Sequence, residues 1–243
     1  MWRFCVLLGV IGACGRWGFA PAATGDGATG DGVVSIDGTG DGAPASDGPA
    51  GITPDASMVP VDAASGTQLP PANADTYIKG IDNTTHGADA MTYVGRYTGN
   101  GTNMFVLLQF DLAGVTTCSK ATLRVYQYTS AGTSAFPVRV KRLTQVWAEA
   151  SADWSNASTG VAWTSGGGGT VASTTYGSLT ITPGAYGFYD FDVTTLVSDW
   201  LAGATNDGLL LDPGSQPPTG DYIGFATREN SNAAWHPQLL ITP

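Results

Sequence analysis

Cationic and aromatic side chains alternate with apolar ones in residues 122–128. Successive side chains of an extended strand point to opposite faces, so Leu123 and Val125 share one face. Arg124 and Tyr126 share the other face. A guanidinium group pairs with carboxylates, and an aromatic ring supports the apolar face of a sugar. This combination of residue types is therefore suited to binding an acidic polysaccharide.

A second stretch of the same kind follows at residues 138–142, where Arg139 and Lys141 alternate with two valines. If the two strands pair as a hairpin, their outward side chains lie on one face. The same alternation is typical of an ordinary solvated sheet face, so both interpretations stay open. The predicted ligand-binding residues are Arg124, Tyr126, Arg139 and Lys141.

Carboxylates form a second group of candidate residues. Asp190 and Asp192 are two residues apart in a predicted strand, so they share a face and could resemble a glycosidase pair. Such a pair more often caps a helix, accepts backbone amides or ligates calcium. Asp75 begins the first strand of the predicted domain, and the first and last strands of a β-sandwich often approach each other. Asp75, Asp190 and Asp192 therefore form a predicted structural calcium site, although a helix-capping role explains Asp192 equally well.

The sequence lacks the usual motifs of catalytic sites. Its only histidines are His86 and His236, near opposite ends of the predicted domain. It contains no Gly-x-Ser-x-Gly elbow, no His-Glu-x-x-His helix, no cysteine pair at metal-binding spacing and no phosphate-binding loop with a lysine. We therefore expect a protein without enzymatic activity.

Short apolar runs separated by turn residues must position these side chains. The runs are rich in β-branched and aromatic residues, and Gly, Pro, Asn, Asp or Ser cluster at their ends. This pattern is typical of an all-β sandwich. The clearest runs are residues 75–78, 104–111, 121–126, 138–140, 188–194, 208–211 and 237–241. The predicted fold is an antiparallel, jelly-roll-like β-sandwich.

One short helix is predicted at residues 195–202. Leu196, Val197 and Trp200 form an apolar stripe there, and either Asp192 or Thr194 could cap the helix. Trp200 is therefore expected to pack in the core.

Two other tryptophans have looser sequence contexts. Trp163 precedes a run of four glycines, and Trp235 precedes His236 and Pro237. An exposed ring at either position could stack on a sugar, although burial is the more common outcome for a tryptophan.

The order of several short motifs resembles a known family. The motifs are Phe110-Asp111-Leu112, Trp147-Ala148-Glu149 with Trp154, Asp192-Val193-Thr194 with Trp200, and Pro237-Gln238-Leu239. In this order, over residues 73–243, they resemble the DNRLRE domain, a β-sandwich related to family 96 carbohydrate-binding modules. The resemblance implies carbohydrate binding, and because family 96 includes binders of alginate, it implies a uronate polymer as ligand. The letters of the family name are absent, and the nearest stretch is Thr227-Arg228-Glu229.

The N-terminus has the pattern of an export signal. Arg3 precedes a short apolar core that is too short to span a bilayer, and residues 1–13 form the predicted signal peptide. The stretch that ends at Cys14 resembles the lipobox of bacterial lipoproteins, which implies a lipid on Cys14 and attachment to a membrane. Gly15 rather than Asp after the cysteine resembles proteins sorted to the outer membrane. The alternative is a secreted protein that is cleaved after Ala20 or Ala23.

Residues 14–72 have the composition of a disordered tether. Gly-Asp-Gly recurs at residues 25–27, 30–32 and 40–42 without any apolar periodicity. The aspartates do not have the spacing of known calcium loops. The net charge of the chain is −10, and residues 20–72 contain no Lys or Arg, so binding to nucleic acid is not expected.

Two functions of different classes remain open at this stage. The first is a surface-tethered, non-catalytic carbohydrate-binding module for an acidic polysaccharide. The second is a structural or adhesive cell-surface lipoprotein without a glycan ligand. The sequence leaves the oligomeric state undetermined.

Overall fold

The computed structural model describes residues 66–80 and 82–243. The predicted signal peptide, Cys14 and the tether up to residue 65 lie outside these residues. The strands are β1 (Ala72–Lys79), β2 (Met91–Arg96), β3 (Asn103–Phe110), β4 (Lys120–Ala131), β5 (Phe136–Arg142), β6 (Asn156–Ser158), β7 (Val161–Ala162), β8 (Gly177–Ile181), β9 (Gly187–Asp192), β10 (Leu209–Asp212), β11 (Tyr222–Ala226) and β12 (Gln238–Thr242). The described residues also include helix α1 (Thr194–Leu201) and a 3-10 turn (Ala233–Trp235).

Ten of these strands form one antiparallel network that folds into two layers. The front sheet consists of β9, β4, β12, β11 and β2, and the back sheet consists of β1, β3, β10, β5 and β8. The end of β2 pairs with β3 and so connects the two layers. The short strands β6 and β7 form a separate hairpin. The predicted antiparallel β-sandwich with one short helix is confirmed.

The core lies between the two sheets. Leu123 and Val125 from β4 and Val138 and Val140 from β5 belong to one buried cluster, and all four are essentially inaccessible to solvent. Each fully buried aliphatic side chain of this kind contributes about 1.5–3 kcal/mol to stability. The alternation of strand residues therefore determines which side chains face outward from each sheet.

Helix α1 covers one end of the same core. Leu196, Val197 and Trp200 are buried in it, as their spacing predicts. The cap position is occupied by Val193, whereas the sequence suggested Asp192 or Thr194. Asp192 nevertheless stabilises the helix start, because its carboxylate accepts bonds from both the backbone N–H and the hydroxyl of Thr194.

Residues 122–128 and 138–142 do not pair as a hairpin, so the condition for their outward side chains to share one face is not met. Strand β4 pairs with β9, β11 and β12, whereas β5 pairs with β10 and β8 in the other layer. The connection turns at Gly132, whose φ is 83°, and the carboxylate of Asp221 binds the backbone N–H of Ser134 just after this turn. The chain crosses between layers here because Val138 and Val140 must face Leu123 and Val125 across the core.

The outer side of the back sheet is covered in its centre by the segment 143–170. Trp147 and Trp163 from this segment are buried against Leu210 of β10 in a second apolar cluster. Both indole N–H groups are satisfied, since Trp147 donates to the carbonyl of Asp207 and Trp163 donates to the carbonyl of Asp153, each at 2.9 Å. Trp163 is therefore part of the packing and does not serve as an exposed ring.

Ordered pairing begins ahead of Asn73, the predicted start of the domain. Gln68 exchanges two backbone hydrogen bonds with Ile241 of β12, at 2.7 and 2.9 Å. The chain therefore enters the described domain beside its last strand. Among the described residues, no helix has the length and apolarity needed to cross a bilayer.

Candidate functional site

The outer face of the front sheet combines charged and aromatic side chains in adjacent rows. Strand register places Asp190 of β9 and Gln238 of β12 on either side of Arg124. One step along β4, Tyr126 is the direct partner of Phe188. These side chains point away from the core because their neighbours in sequence fill it.

Four aromatic rings form the aromatic platform, which we define as Tyr126, Tyr128, Phe188 and Trp235. Trp235 stacks on Tyr126 with ring centroids 4.6 Å apart and planes 3° apart. Phe188 meets Tyr126 edge-on at 5.0 Å, and Tyr128 lies 5.2 Å from Trp235. Tyr128 is 45% exposed and Phe188 is 48% exposed. The platform therefore presents apolar ring surface to solvent in an open position.

The 3-10 turn holds Trp235 in place. Its first residue follows Asn232, whose side-chain oxygen accepts a bond from the backbone N–H of Ala234 at 3.2 Å. The side-chain oxygen of Asn230 in turn accepts a bond from the backbone N–H of Asn232. The indole ring is thus positioned by local backbone structure as well as by its stack on Tyr126.

Arg124 lies directly beside the platform. Its Nε and Nη2 atoms donate to the two carboxylate oxygens of Asp190 at 2.8 and 2.7 Å. These hydrogen bonds hold the pKa of the Asp190 carboxyl below its usual value and raise the pKa of Arg124. The guanidinium carbon also lies 5.5 Å from the centroid of the Phe188 ring. The cation is therefore fixed in a half-exposed position at the edge of the aromatic surface.

A shallow hollow of about 240 Å³ continues the face beyond Arg124. It is lined by Thr67, Lys120, Thr122, Arg124, Asp190, Leu240 and Thr242. The hydroxyls and the second cation, Lys120, extend the polar part of this face away from the platform.

The structure separates the four predicted ligand-binding residues. Arg124 and Tyr126 lie together on the front sheet, but Arg139 and Lys141 lie on the outer face of the back sheet. Arg139 donates to Asp212 at 3.0 and 3.2 Å, and Lys141 donates to the carbonyl of Ser173 at 2.7 Å.

The three predicted calcium ligands are likewise not brought together. Asp75 lies in β1 of the back sheet, where its carboxylate accepts the backbone N–H of Arg228. Asp190 and Asp192 share the outer face of β9 as predicted, but the first binds Arg124 and the second binds Thr194. Hydrogen bonds from Thr194 lower the pKa of Asp192.

A second aromatic surface, the tyrosine pocket, is smaller and more enclosed by side chains. It has a volume of about 190 Å³ and is lined by Tyr77, Lys79, Tyr93, Tyr97, Met104 and Tyr222. Tyr77 is almost fully buried, whereas Tyr97 is 40% exposed and lies under the ammonium group of Lys79. Because a polymer needs an open surface, the aromatic platform is the better candidate for binding a long chain.

Phe188 and Trp235 complete the site. The sequence left Trp235 open as a ring that could stack on a sugar, and in the structure this ring is half-buried and stacks on Tyr126. The sequence alone did not assign Phe188 to the site. Phe188 is two residues before Asp190 in β9 and lies on the same outward face, which the alternation of the sequence predicts. Its position beside Tyr126 could not be predicted in this way, because it depends on the pairing of β4 with a strand that is distant in sequence.

Comparison with known protein families identifies the family of the described domain. A family model described as carbohydrate-binding module family 96 matches residues 67–243. This range contains every strand of both sheets. No curated protein matches the chain.

We expect Arg124→Ala to lower the stability of the fold by less than about 1 kcal/mol, because exposed ion pairs contribute little. Leu123→Ala, on the opposite face of the same strand, is the matched control and should cost about 2–5 kcal/mol. Urea unfolding of both variants measures the two losses. Equal losses would contradict the assignment of Arg124 to the outer face.

Proposed function

The chain belongs to carbohydrate-binding module family 96, and we propose that its front sheet binds an acidic, uronate-type polysaccharide. The observation that carries this proposal is the aromatic platform with Arg124 fixed at its edge. Binding modules of this kind are non-catalytic in general. The proposed activity is therefore recognition of the polymer without cleavage.

The aromatic platform supplies the sugar-stacking part of the proposed site. The C–H face of a pyranose ring packs on an aromatic ring because both are apolar, and the stack leaves the sugar hydroxyls directed to the sides. Tyr126 and Trp235 are already packed on each other, so little side-chain freedom is lost when a ligand binds. The open surface allows a chain to continue past the platform at both ends.

Arg124 supplies the charge-specific part. Asp190 engages the Nε and one terminal nitrogen, and a guanidinium group has five N–H donors. The remaining donors are available to a uronate carboxylate. Lys120, which lines the neighbouring hollow, adds a second cation on the same side of the site. This arrangement favours an acidic ligand over a neutral one.

The ion pair with Asp190 also supports the competing interpretation. It offsets the charge of Arg124 within the chain, as expected for a face whose role is structural or adhesive. Under that interpretation the aromatic platform binds another protein surface or stabilises the sheet, and no polysaccharide binds. Measurements of polysaccharide binding by variants and at different salt concentrations separate the two functions.

The proposal also includes the attachment of the protein to a membrane. We propose that Cys14 carries a lipid and that the residues between Cys14 and Gln68 connect it to the binding domain. Because this connecting segment is acidic, charge repulsion would hold the module away from an anionic membrane surface. The polysaccharide would then be held at the surface of the cell.

Loss of one exposed ring should weaken polysaccharide binding without unfolding the domain. We expect Phe188→Ala and Tyr128→Ala each to lower affinity for a polyuronate by about 2- to 12-fold, which corresponds to about 0.5–1.5 kcal/mol per aromatic contact. Tyr97→Ala is the matched control, since it removes a ring of similar exposure in the tyrosine pocket. Isothermal titration calorimetry measures the affinities. If only Tyr97→Ala weakens binding, the ligand occupies the tyrosine pocket instead.

The cationic part of the site should make binding sensitive to salt. Affinity for a polyuronate should fall between 0.01 and about 0.15 M salt, because the screening length shortens from about 30 to about 8 Å. Arg124→Ala should reduce both the affinity and this salt dependence. The double variant Arg139→Ala with Lys141→Ala, which removes two cations from the back sheet, should leave both nearly unchanged. Affinity electrophoresis with a polyuronate and a neutral glucan tests this. Failure to bind any polysaccharide at low salt, by a folded protein, would favour the structural or adhesive function.

Membrane attachment should depend on a single thiol. Cys14→Ser should shift the protein from the membrane fraction to the soluble fraction or leave it unprocessed, because serine cannot carry the thioether-linked lipid. Fractionation of cells that express either form measures this. A variant that fractionates like the wild type would contradict the lipid anchor.

A further inference from the structure

Three carboxylates from distant parts of the chain meet at the edge of β1, on the back sheet. We define the acidic cluster as Asp75, Glu149 and Glu229. Asp75 lies in β1, Glu149 lies in the segment that covers the back sheet, and Glu229 follows β11. One carboxylate oxygen from each residue lies within 4.8 Å of the other two.

Arg228 is the nearest cation to the cluster, and it is directed mainly at Glu149. Its Nη2 donates to both Glu149 oxygens, at 2.6 and 2.8 Å. Glu149 also accepts the backbone N–H of Asp75 at 2.7 Å, so its bonding capacity is well used. The Nη2 atom lies farther from Glu229, at 3.2 Å, and the Nε atom is 4.0 Å from Asp75. The Asp75 carboxylate accepts the backbone N–H of Arg228 through Oδ2.

Asp75 is the member of the acidic cluster that has a buried oxygen atom without a hydrogen-bond partner. Its side chain has 0% exposure, and its Oδ1 atom has no hydrogen-bond partner among residues 66–80 and 82–243. A buried carboxylate oxygen without a partner is costly, and native structures rarely contain one.

The charges of the cluster also do not balance. Three carboxylates face one guanidinium group, and of the three Asp75 is buried, Glu149 is half-buried and Glu229 is exposed. The repulsion is strongest at the buried Asp75 carboxylate, since the local dielectric there is below that of water. A divalent cation would balance this charge and would also provide the missing partner of the Asp75 Oδ1 atom.

The spacing of the oxygens suits one ion. Calcium binds carboxylate oxygens at about 2.3–2.6 Å, so two ligands on opposite sides of it are about 4.6–5.2 Å apart. Three oxygens within 4.8 Å of one another can therefore all contact a single calcium ion. Carboxylates are hard ligands, and the cluster contains no histidine or cysteine that would favour zinc.

We propose that Asp75, Glu149 and Glu229 form a structural calcium site. The ion would join β1, the covering segment and the turn after β11, which are otherwise linked here by Arg228. Asp75 thus remains from the ligand set predicted by the sequence, while Asp190 and Asp192 are replaced by two glutamates from other segments. The proposal does not depend on carbohydrate binding, because it is tested with calcium in the absence of polysaccharide.

Calcium alone is the probe for the test. The full chain is freed of metal with EGTA and dialysed, and its melting temperature is measured with and without CaCl₂ in the absence of polysaccharide. When calcium exceeds its Kd about 100-fold, the melting temperature should rise by about 5–10 °C, and EGTA should reverse the rise. Titration calorimetry should give one ion per chain. The absence of a shift and of binding heat would overturn the proposal.

Variants locate the site. Glu229→Gln changes a side chain that is 27% exposed, so the domain should still fold, and it should remove most of the calcium-induced shift. Asp75→Asn should do the same. Asp190→Asn, which changes a carboxylate on the front sheet, is the control and should retain the full shift. If Glu229→Gln and Asp75→Asn keep the shift, calcium binds elsewhere and the proposal is wrong, whatever the outcome for polysaccharide binding.

Discussion

The burial of one continuous core between two sheets determines which side chains of this protein can reach a ligand. Leu123 and Val125 from one layer and Val138 and Val140 from the other must meet inside, so the residues between them must face outward. On the back sheet, a long segment with two buried tryptophans covers the central strands. Among residues 66–80 and 82–243, no such segment covers Tyr126 and its neighbours on the outer face of the front sheet, and the exposed rings lie there.

The front-sheet site is organised mainly by contacts within the chain. Trp235 stacks on Tyr126, and Asp190 fixes Arg124, so the side chains that face a ligand are held in place before it arrives. Such preorganisation reduces the entropy lost on binding. The Asp190 ion pair also limits how strongly Arg124 attracts an acidic ligand, because part of the positive charge of Arg124 is already offset. We therefore expect each site to bind a sugar unit weakly and in a salt-dependent way. Contacts repeated along a polymer would raise the overall affinity.

Local patterns in the sequence were sufficient for the fold class, the short helix and the direction of most strand residues. Alternation assigned Arg124 to the surface and Leu123 to the core, and the apolar stripe located α1. The pairing of strands was not accessible in this way, since β4 joins β9 and β12 across long sequence separations while its neighbour β5 enters the other layer. The acidic cluster depends on the same long-range geometry. Asp75 was recognised by its position at a strand start, but Glu149 and Glu229 reach it only through the folded back sheet.

The pair of hydrogen bonds between Gln68 and Ile241 has a mechanical consequence. The chain enters the domain beside β12, and β12 pairs directly with β4, which carries Arg124 and Tyr126. A pulling force between the entering segment and a polymer on the front sheet would pass through the Gln68–Ile241 bonds and the β12–β4 ladder. This path crosses few elements and leaves the core between the sheets unloaded. The resistance of the module to such a force would then depend on the pairing of β12 more than on the buried core that stabilises the unloaded domain.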